Sequence, residues 1–215
     1  NYGVVARDKI FLLFIGAVIL NKVIFGNIDF YLPVHLSDSF KTTTIFGFEI
    51  YGQRMLTIFV MLNTLIIIFS MTFVNQLTNK WSERKNLTTG TLLQGLGFAA
   101  AFLMNSFIPL ILASIVMTIG EMILVPSSQS LRADLMNEEK IGTYSGFVTI
   151  TDPIGSVLSG SLVSFSVYIH HTGVAVVMVV VTVLLVLCFN QVMKMKTQAD
   201  IASSKNTWQN AWFLD

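Results

Sequence analysis

Six long runs of apolar residues, separated by short polar segments, follow one another along the chain. Each run is close to the length of about 20 residues that an α-helix needs to cross a bilayer. The pattern therefore predicts an all-α integral membrane protein with six transmembrane helices. The runs cover residues 10–36, 54–76, 87–106, 109–131, 143–168 and 174–193.

The same pattern divides the chain into three parts. Residues 10–193 form the predicted transmembrane bundle, and residues 1–9 are predicted to be the end of a cytoplasmic linker. Residues 194–215 form a predicted cytoplasmic tail that ends in aromatic residues. Trp208, Trp212 and Phe213 fit an interfacial helix lying on the membrane, and the polar composition fits a disordered tail equally well.

The composition supports a membrane protein. Hydrophobic residues make up 53% of the 215 residues and charged residues 12%, with a mean hydropathy of +0.71. Soluble domains carry about 25% charged residues, so a soluble core does not account for this chain. The opening, NYGVVARDK, has no cleavable-signal pattern, and we expect the chain to be a fragment or the second half of a longer one.

Basic residues predict the orientation, because cytoplasmic loops of membrane proteins carry an excess of Lys and Arg. Ten of the 13 basic residues lie on one predicted side, whereas Lys41 and Arg54 lie on the other and Lys22 lies within the first run. Both termini and two charged loops are therefore predicted to be cytoplasmic, in the plasma (inner) membrane. The ten residues are Arg7, Lys9, Lys80, Arg84, Lys85, Arg132, Lys140, Lys194, Lys196 and Lys205.

Four charged residues fall inside the predicted helices: Lys22, Asp29, Glu121 and Asp152. A charge at that depth costs several kcal/mol unless it is neutralised, paired or turned toward a polar cavity, so such residues are functional candidates. At a rise of about 1.5 Å per residue, Lys22 and Glu121 lie near the middle of the membrane. Asp29 lies in the outer half, and Asp152 in the inner half to the middle. This spread suits a proton and a cation that enter and leave on different sides.

Each of these residues has a functional and a structural interpretation. Glu121 exchanges a proton for a cationic substrate, or it only bonds helices together. Asp29 has the same functional interpretation, or it lines a water-filled vestibule near the outer surface. Lys22 pairs with Glu121 or with Asp29 as a switch, or its stem snorkels to an interface. Asp152 takes part in transport, or it bonds backbone groups that Pro153 leaves free.

Small residues and histidines are the remaining candidates in the last third of the chain. Gly146, Gly155 and Gly160 have a near-helical spacing that favours close helix packing, with a hinge as the alternative. His170 and His171 lie in a predicted external turn, on the same side as His35. Nothing in their spacing requires a metal, and we predict no metal site.

The loop NQLTNKWSERK, residues 75–85, resembles the cytoplasmic loop signature of the major facilitator superfamily, which reads roughly G-x-L-x-D-R-x-G-R-K-R. Leu77, Lys80, Arg84 and Lys85 match in spacing and basic character. The two glycines, the aspartate and one arginine of the signature are replaced here. The resemblance implies that this loop takes part in conformational change. The replacing residues are Asn75, Asn79, Ser82 and Glu83.

A second stretch, residues 120–147, resembles the pattern of the family's drug/proton antiporters. That pattern is a Gly-Glu pair, a proline, a polar turn, and then glycines around a tyrosine. Ile141 stands where the pattern has an arginine, and the Gly/Pro-rich fifth run is loosely similar as well. Gly120 and Pro126 are expected to serve helix packing. The matching residues are Gly120, Glu121, Pro126, Gly142, Tyr144 and Gly146.

The resemblance implies that the six helices are the C-terminal half of a twelve-helix transporter. In such antiporters, acids in the first and fourth helices of this half handle protons and cationic drugs, and these positions correspond to Asp29 and Glu121. The implied function is export of lipophilic cations in exchange for protons by alternating access. Its implied partners are an N-terminal half and membrane lipids, without nucleic acid. It needs no cofactor, because the proton gradient drives it.

Three other functions are compatible with six apolar helices in principle. An importer or proton symporter with the same fold remains an alternative, and a channel subunit a remote one, since no filter-like sequence is present. An intramembrane serine protease is excluded because Ser145 and His170 are 25 residues apart, roughly 37 Å along a helix. No phosphate-binding loop of the G-x-x-x-x-G-K-[ST] type occurs. The chain is therefore not expected to be an enzyme.

Overall fold

The computed structural model describes residues 2–211, which form α-helices, one short 3₁₀ turn and a two-stranded β-hairpin. Trp212 and Phe213 lie outside the described residues. The helices are α1 (Tyr2–Val5), α2 (Lys9–Gly26), α3 (Tyr31–Ser39), α4 (Gly52–Thr78), α5 (Glu83–Leu103), α6 (Phe107–Leu135), α7 (Ile141–Thr149) and α8 (Thr151–Ala211). The strands are β1 (Thr43–Ile45) and β2 (Phe48–Ile50), and the 3₁₀ turn is Glu138–Lys140.

Four segments of the described chain are long and apolar enough to cross a membrane, which confirms the all-helical membrane character. α5 falls outside this set, since Thr, Gln and Gly interrupt its apolar residues. The number of crossings stays a prediction. The four segments are Lys9–Ser39, Gly52–Thr78, Phe107–Leu135 and Glu138–Ala202.

The longest helix, α8, reverses its direction at His170, where the backbone has φ 55° and ψ 177°. Before this residue, α8 runs alongside α2 in the same direction. The Lys22 ammonium meets Asp152 near the start of α8, and the Ser159 hydroxyl donates to the Val23 carbonyl further along. The reversal lies within the HHTG sequence that was predicted to be a turn.

Beyond His170, α8 runs antiparallel to α5. Gly95 of α5 packs against Thr182, and Arg84 near the start of α5 bonds to Asn190. The helix continues past Met193 to Ala211, so the backbone of residues 194–211 is helical rather than disordered.

Two of the predicted helices are interrupted. The first is broken between α2 and α3, where the Ile28 and Asp29 amides bond to carbonyls three residues earlier. There the Asn27 side chain donates to the Val23 carbonyl at 2.6 Å. The fifth is broken at Ile150 between α7 and α8. Next to this break, the Thr149 hydroxyl donates to the Gly146 carbonyl at 2.8 Å. Such side-chain bonds to the backbone compete with helix geometry.

The polar segment between the first two predicted helices contains a β-hairpin. Thr43 pairs with Ile50, and Ile45 pairs with Phe48. The two residues between the strands, Phe46 and Gly47, have φ of 52° and 80°. Positive φ at both central positions is the geometry of a two-residue turn that matches the twist of the strands.

Helix α5 packs against both α6 and the second part of α8 through glycines. A β-carbon added at Gly90 would lie 2.7 Å from the Leu124 amide nitrogen. One added at Gly97 would lie 2.7 Å from the Met117 amide nitrogen. Gly120 of α6 makes the reciprocal approach to the α5 backbone. Glycines therefore let α5 and α6 approach backbone to backbone, as small residues do between membrane helices.

We predict that Gly97→Ala destabilises the protein by about 1–3 kcal/mol, because an extra methyl group in a tight contact forces the backbones apart. Gly16→Ala is the matched control, since an added β-carbon there meets nothing within 4 Å. The control should be neutral or stabilising by roughly 0.5–1 kcal/mol. SDS-induced unfolding followed by circular dichroism measures both. Equal stability of the two variants would show that the α5–α6 approach is not tight.

Candidate functional site

Glu121 bonds to a neutral side chain of α4, not to a lysine. Asn63 donates one amide hydrogen to Glu121 Oε2 at 2.9 Å and another to Thr118 Oγ1 at 3.0 Å. Asn63 is 7% exposed and Thr118 is fully buried. Both amide hydrogens of Asn63 are therefore used within the interface between α4 and α6, and the Glu121 carboxylate is fixed in position.

The bonds continue away from Glu121 along the same face of α6. The Thr118 hydroxyl donates to the Ser114 carbonyl at 2.7 Å, and the Ser114 hydroxyl donates to the Phe59 carbonyl at 3.4 Å. We call Asn63, Ser114, Thr118 and Glu121 the polar column. Residues 114, 118 and 121 recur at helical spacing, a signal in the sequence that could have identified this face. Sequence reasoning identified Glu121 alone and missed its three neighbours.

The polar column can bind a proton or a cation at one carboxylate. Neutral donors hold Glu121 in place without supplying a compensating positive charge. Between apolar helices, an unneutralised carboxylate strongly favours a bound proton or cation. Pro126 lies further along α6 than Glu121, within the continuous helix.

Lys22 forms an ion pair with Asp152, and the predicted pairing with Glu121 or Asp29 is wrong. The Lys22 ammonium lies 2.6 Å from Asp152 Oδ1. The first part of α8 comes close to α2 because residue 155 is glycine. A β-carbon there would lie 2.5 Å from Lys22 Cβ.

Asp29 lies in the turn between α2 and α3, where it is exposed. Since α2 ends at Gly26, the expected helical alignment of Asp29 with Lys22 does not form. Asp29 is thus separate from both the ion pair and the polar column. Gly160, a packing candidate, has only an ordinary contact of 3.8 Å with Phe30.

The basic residues of the loop 75–85 make contacts that were not predicted from the sequence. Arg84 Nε donates to Asn190 Oδ1 of α8 at 2.5 Å. The Lys85 ammonium lies 4.0 Å from the centre of the Trp81 ring, a cation–π contact. Lys80 is exposed in the turn. Of the three residues predicted to take part in conformational change, Arg84 and Lys85 therefore have defined contact partners.

Lys196 of α8 connects three helices at the same end of the bundle. Its ammonium lies 2.6 Å from Asp134 of α6 and 3.5 Å from Glu83 of α5. We call these three residues the Lys196 cluster. Sequence reasoning counted Lys196 only among the basic residues of the predicted cytoplasmic side and missed this role, because its partners are distant in sequence.

The three histidines meet at the opposite end. His35 Nε2 donates to the Met104 carbonyl at 2.9 Å, and the His35 and His171 rings lie 6.1 Å apart. His170 and His171 line a shallow cavity together with His35. Within residues 2–211, no group of three or more His, Cys, Asp or Glu side chains is arranged to hold a metal ion.

Comparison with known proteins identifies relatives of this chain. Residues 1–160 match the family model described as Major Facilitator Superfamily. The chain is 27% identical over 164 residues to the Na(+), Li(+), K(+)/H(+) antiporter of Planococcus maritimus. The aligned part is 74% of this chain and 39% of that antiporter, so the chain spans about two fifths of this relative's length.

Solved structures of two POT family transporters have a similar fold. One, in complex with 5-aminolevulinic acid, has a TM-score of 0.68 and 19% identity, over 86% of this chain and 41% of that chain. The other, in complex with a thioalcohol conjugated peptide, has a TM-score of 0.68 and 17% identity, over 88% and 41%. At these identities the similarity concerns the fold alone.

The bond between Asn63 and Glu121 predicts energetic coupling. In a double-mutant cycle of Asn63→Ala and Glu121→Ala, we expect a coupling free energy of about 1–3 kcal/mol, the range for hydrogen bonds to charged groups. SDS-induced unfolding provides the four stabilities. The control cycle pairs Asn63→Ala with Glu139→Ala, an exposed loop residue, and should be additive. Additivity in both cycles would contradict the bond.

The Lys196 cluster predicts a second stability effect. Lys196→Ala should lower the free energy of unfolding by about 1 kcal/mol, since it removes two partly exposed ion pairs. Lys194→Ala, an exposed residue two positions earlier, should have no measurable effect. Raising the salt concentration should shrink the difference between these variants. A difference that does not respond to salt would mean that lost packing, not charge, destabilises the variant.

Proposed function

We propose that this chain, which belongs to the major facilitator superfamily, is the C-terminal half of a proton-coupled antiporter. The complete transporter has twelve helices, six from each half, and exchanges cations for protons by alternating access. It lies in the plasma membrane, with both ends of this half in the cytoplasm, as the distribution of Lys and Arg predicts.

The observation that most directly supports this proposal is the local environment of the Glu121 carboxylate. The carboxylate accepts a hydrogen bond from Asn63 at 2.9 Å in the interface between α4 and α6, and within residues 2–211 no lysine or arginine forms an ion pair with it. Such a carboxylate binds a proton or a cation, and binding of one excludes the other. Exchange follows if the site opens to one side of the membrane at a time, because a cation leaves only when a proton replaces it.

Two classes of cargo have support. The motif around Glu121 resembles that of multidrug/proton antiporters, which favours lipophilic cations. Aromatic and apolar helix faces supply contact area for such cations. The antiporter of Planococcus maritimus is named for Na⁺, Li⁺ and K⁺, which favours small inorganic cations. Both classes need the same feature, a carboxylate that alternates between proton and cation.

An importer or proton symporter is the alternative function. The solved structures of similar fold are POT family transporters, but at under 20% identity this similarity supports the shared fold and not a direction of transport. The relative with the higher identity is named as an antiporter. Antiport is therefore the leading proposal.

The test is exchange in proteoliposomes that contain the complete transporter. An imposed pH gradient should drive efflux of a fluorescent lipophilic cation or of ²²Na⁺, measured in parallel. In Glu121→Gln this efflux should fall to the level of protein-free vesicles, because glutamine keeps the size and polarity but cannot titrate. Glu139→Gln, at an exposed position, should transport like the wild type.

Each other outcome has a definite meaning. Unchanged gradient-driven efflux in a folded Glu121→Gln variant would reject Glu121 as the coupling site. Wild-type protein that moves neither cation would reject cation antiport. Wild-type uptake of a neutral or anionic solute together with protons would support the symport alternative.

A further inference from the structure

We infer that Asp152 is a binding site for a monovalent cation and that Lys22 is its built-in competitor. In this arrangement the Lys22 ammonium pairs with the Asp152 carboxylate whenever no free cation is bound to Asp152. The inference rests on the proposed function for its class of ligand. It concerns a different carboxylate, between α2 and α8 rather than between α4 and α6.

The contact between the two side chains is direct but accessible. Lys22 Nζ lies 2.6 Å from Asp152 Oδ1, and the side chains are 44% and 64% exposed. Glu121, by comparison, shares its interface with the buried residues Asn63 and Thr118. A ligand from outside can therefore reach Asp152 without separating two packed helices.

The exposed side of the Lys22–Asp152 pair is not expected to contact lipid. A charged pair in contact with hydrocarbon is costly, and charges inside membrane proteins face the protein interior or a water-filled cavity. Lys22 is near the middle of the predicted first helix, 13 residues after Lys9. The pair is therefore expected to face an aqueous path, which is where a transported ion passes.

Close packing on α8 holds Lys22 against Asp152. Gly155 lets α8 approach to the point where an added β-carbon would lie 2.5 Å from Lys22 Cβ. One turn further, the buried Ser159 hydroxyl donates to the Val23 carbonyl at 3.2 Å, and Gly26 contacts the same serine. These contacts fix the two backbones while the ends of both charged side chains stay exposed.

The chemistry of the pair indicates what ligand replaces the lysine. An ammonium group is a monovalent cation that the chain itself supplies, so a free monovalent cation competes with it for the same carboxylate. When displaced, the ammonium moves into water on the exposed face. Removal of the competitor should therefore tighten cation binding, whereas a purely structural ion pair predicts no tightening.

The experiment measures equilibrium binding to the complete purified transporter at a single pH, with no gradient. Radiolabelled tetraphenylphosphonium and ²²Na⁺ are the two probes, one for each class of cation. Lys22→Met keeps the length of the stem and removes the charge. Lys41→Met is the matched control at an exposed lysine far from the pair. Asp152→Asn removes the carboxylate, and the double variant removes both charges.

We expect Lys22→Met to tighten binding of one probe about fivefold, the equivalent of roughly 1 kcal/mol for a half-exposed ion pair. Asp152→Asn should weaken binding of that probe below the wild-type level, since only the proposed Glu121 site remains, and the double variant Lys22→Met/Asp152→Asn should behave like Asp152→Asn. Lys41→Met should match the wild type. The probe that responds identifies the cation as lipophilic or inorganic.

Three results would overturn the inference. They are unchanged or weaker binding of both probes in Lys22→Met, wild-type binding in Asp152→Asn, and no binding of either probe to the wild type. If Lys22→Met does not fold, Lys22→Arg provides the test, because it keeps the competing charge. Binding tighter than wild type in Lys22→Arg would then contradict competition, and unchanged or weaker binding would agree with it.

The result is independent of the Glu121 experiment. If Glu121→Gln abolishes gradient-driven efflux while Lys22→Met leaves binding unchanged, the proposed function stands and this inference falls. If Lys22→Met tightens binding while Glu121→Gln transports normally, the cation site stands and coupling through Glu121 falls.

Discussion

The interior of a bilayer offers no water to charged or polar groups, and the arrangement of this membrane protein depends on that constraint. Each charged group within the membrane therefore needs either a partner in the protein or contact with water. Asp152 forms an ion pair with Lys22, and Glu121 accepts a hydrogen bond from Asn63. One site is charge-balanced and the other is not, so the two carboxylates respond differently to the arrival of a cation or a proton.

Glycine packing makes these short-range contacts possible. Gly155 brings α8 to the stem of Lys22, and Gly97 brings α5 to the backbone of α6. α6 in turn places Glu121 beside α4. Hydrogen bonds and ion pairs act only over a few ångströms, so a small widening between helices would separate the partners. Packing and chemistry are therefore linked through the same residues.

Properties that depend on local sequence could be predicted, and those that depend on helix contacts could not. The apolar runs and the lone Glu121 are local features, and they indicated a membrane protein with a carboxylate in a helix. The partner of Lys22 is decided by the approach at Gly155, which no spacing reveals. Asn63 was overlooked because an asparagine in an apolar run has no distinct signature. The breaks after Gly26 and at Ile150 accompany side-chain bonds to the backbone, which hydropathy does not report.

The reversal at His170 divides α8 into two segments that pack on different helices. The segment of α8 before it carries Asp152 and packs on α2, whereas the segment after it carries Lys196 and packs on α5 and α6. One residue, whose backbone departs from helix geometry, therefore joins the part of α8 that carries the Lys22–Asp152 pair to the part that carries the Lys196 cluster.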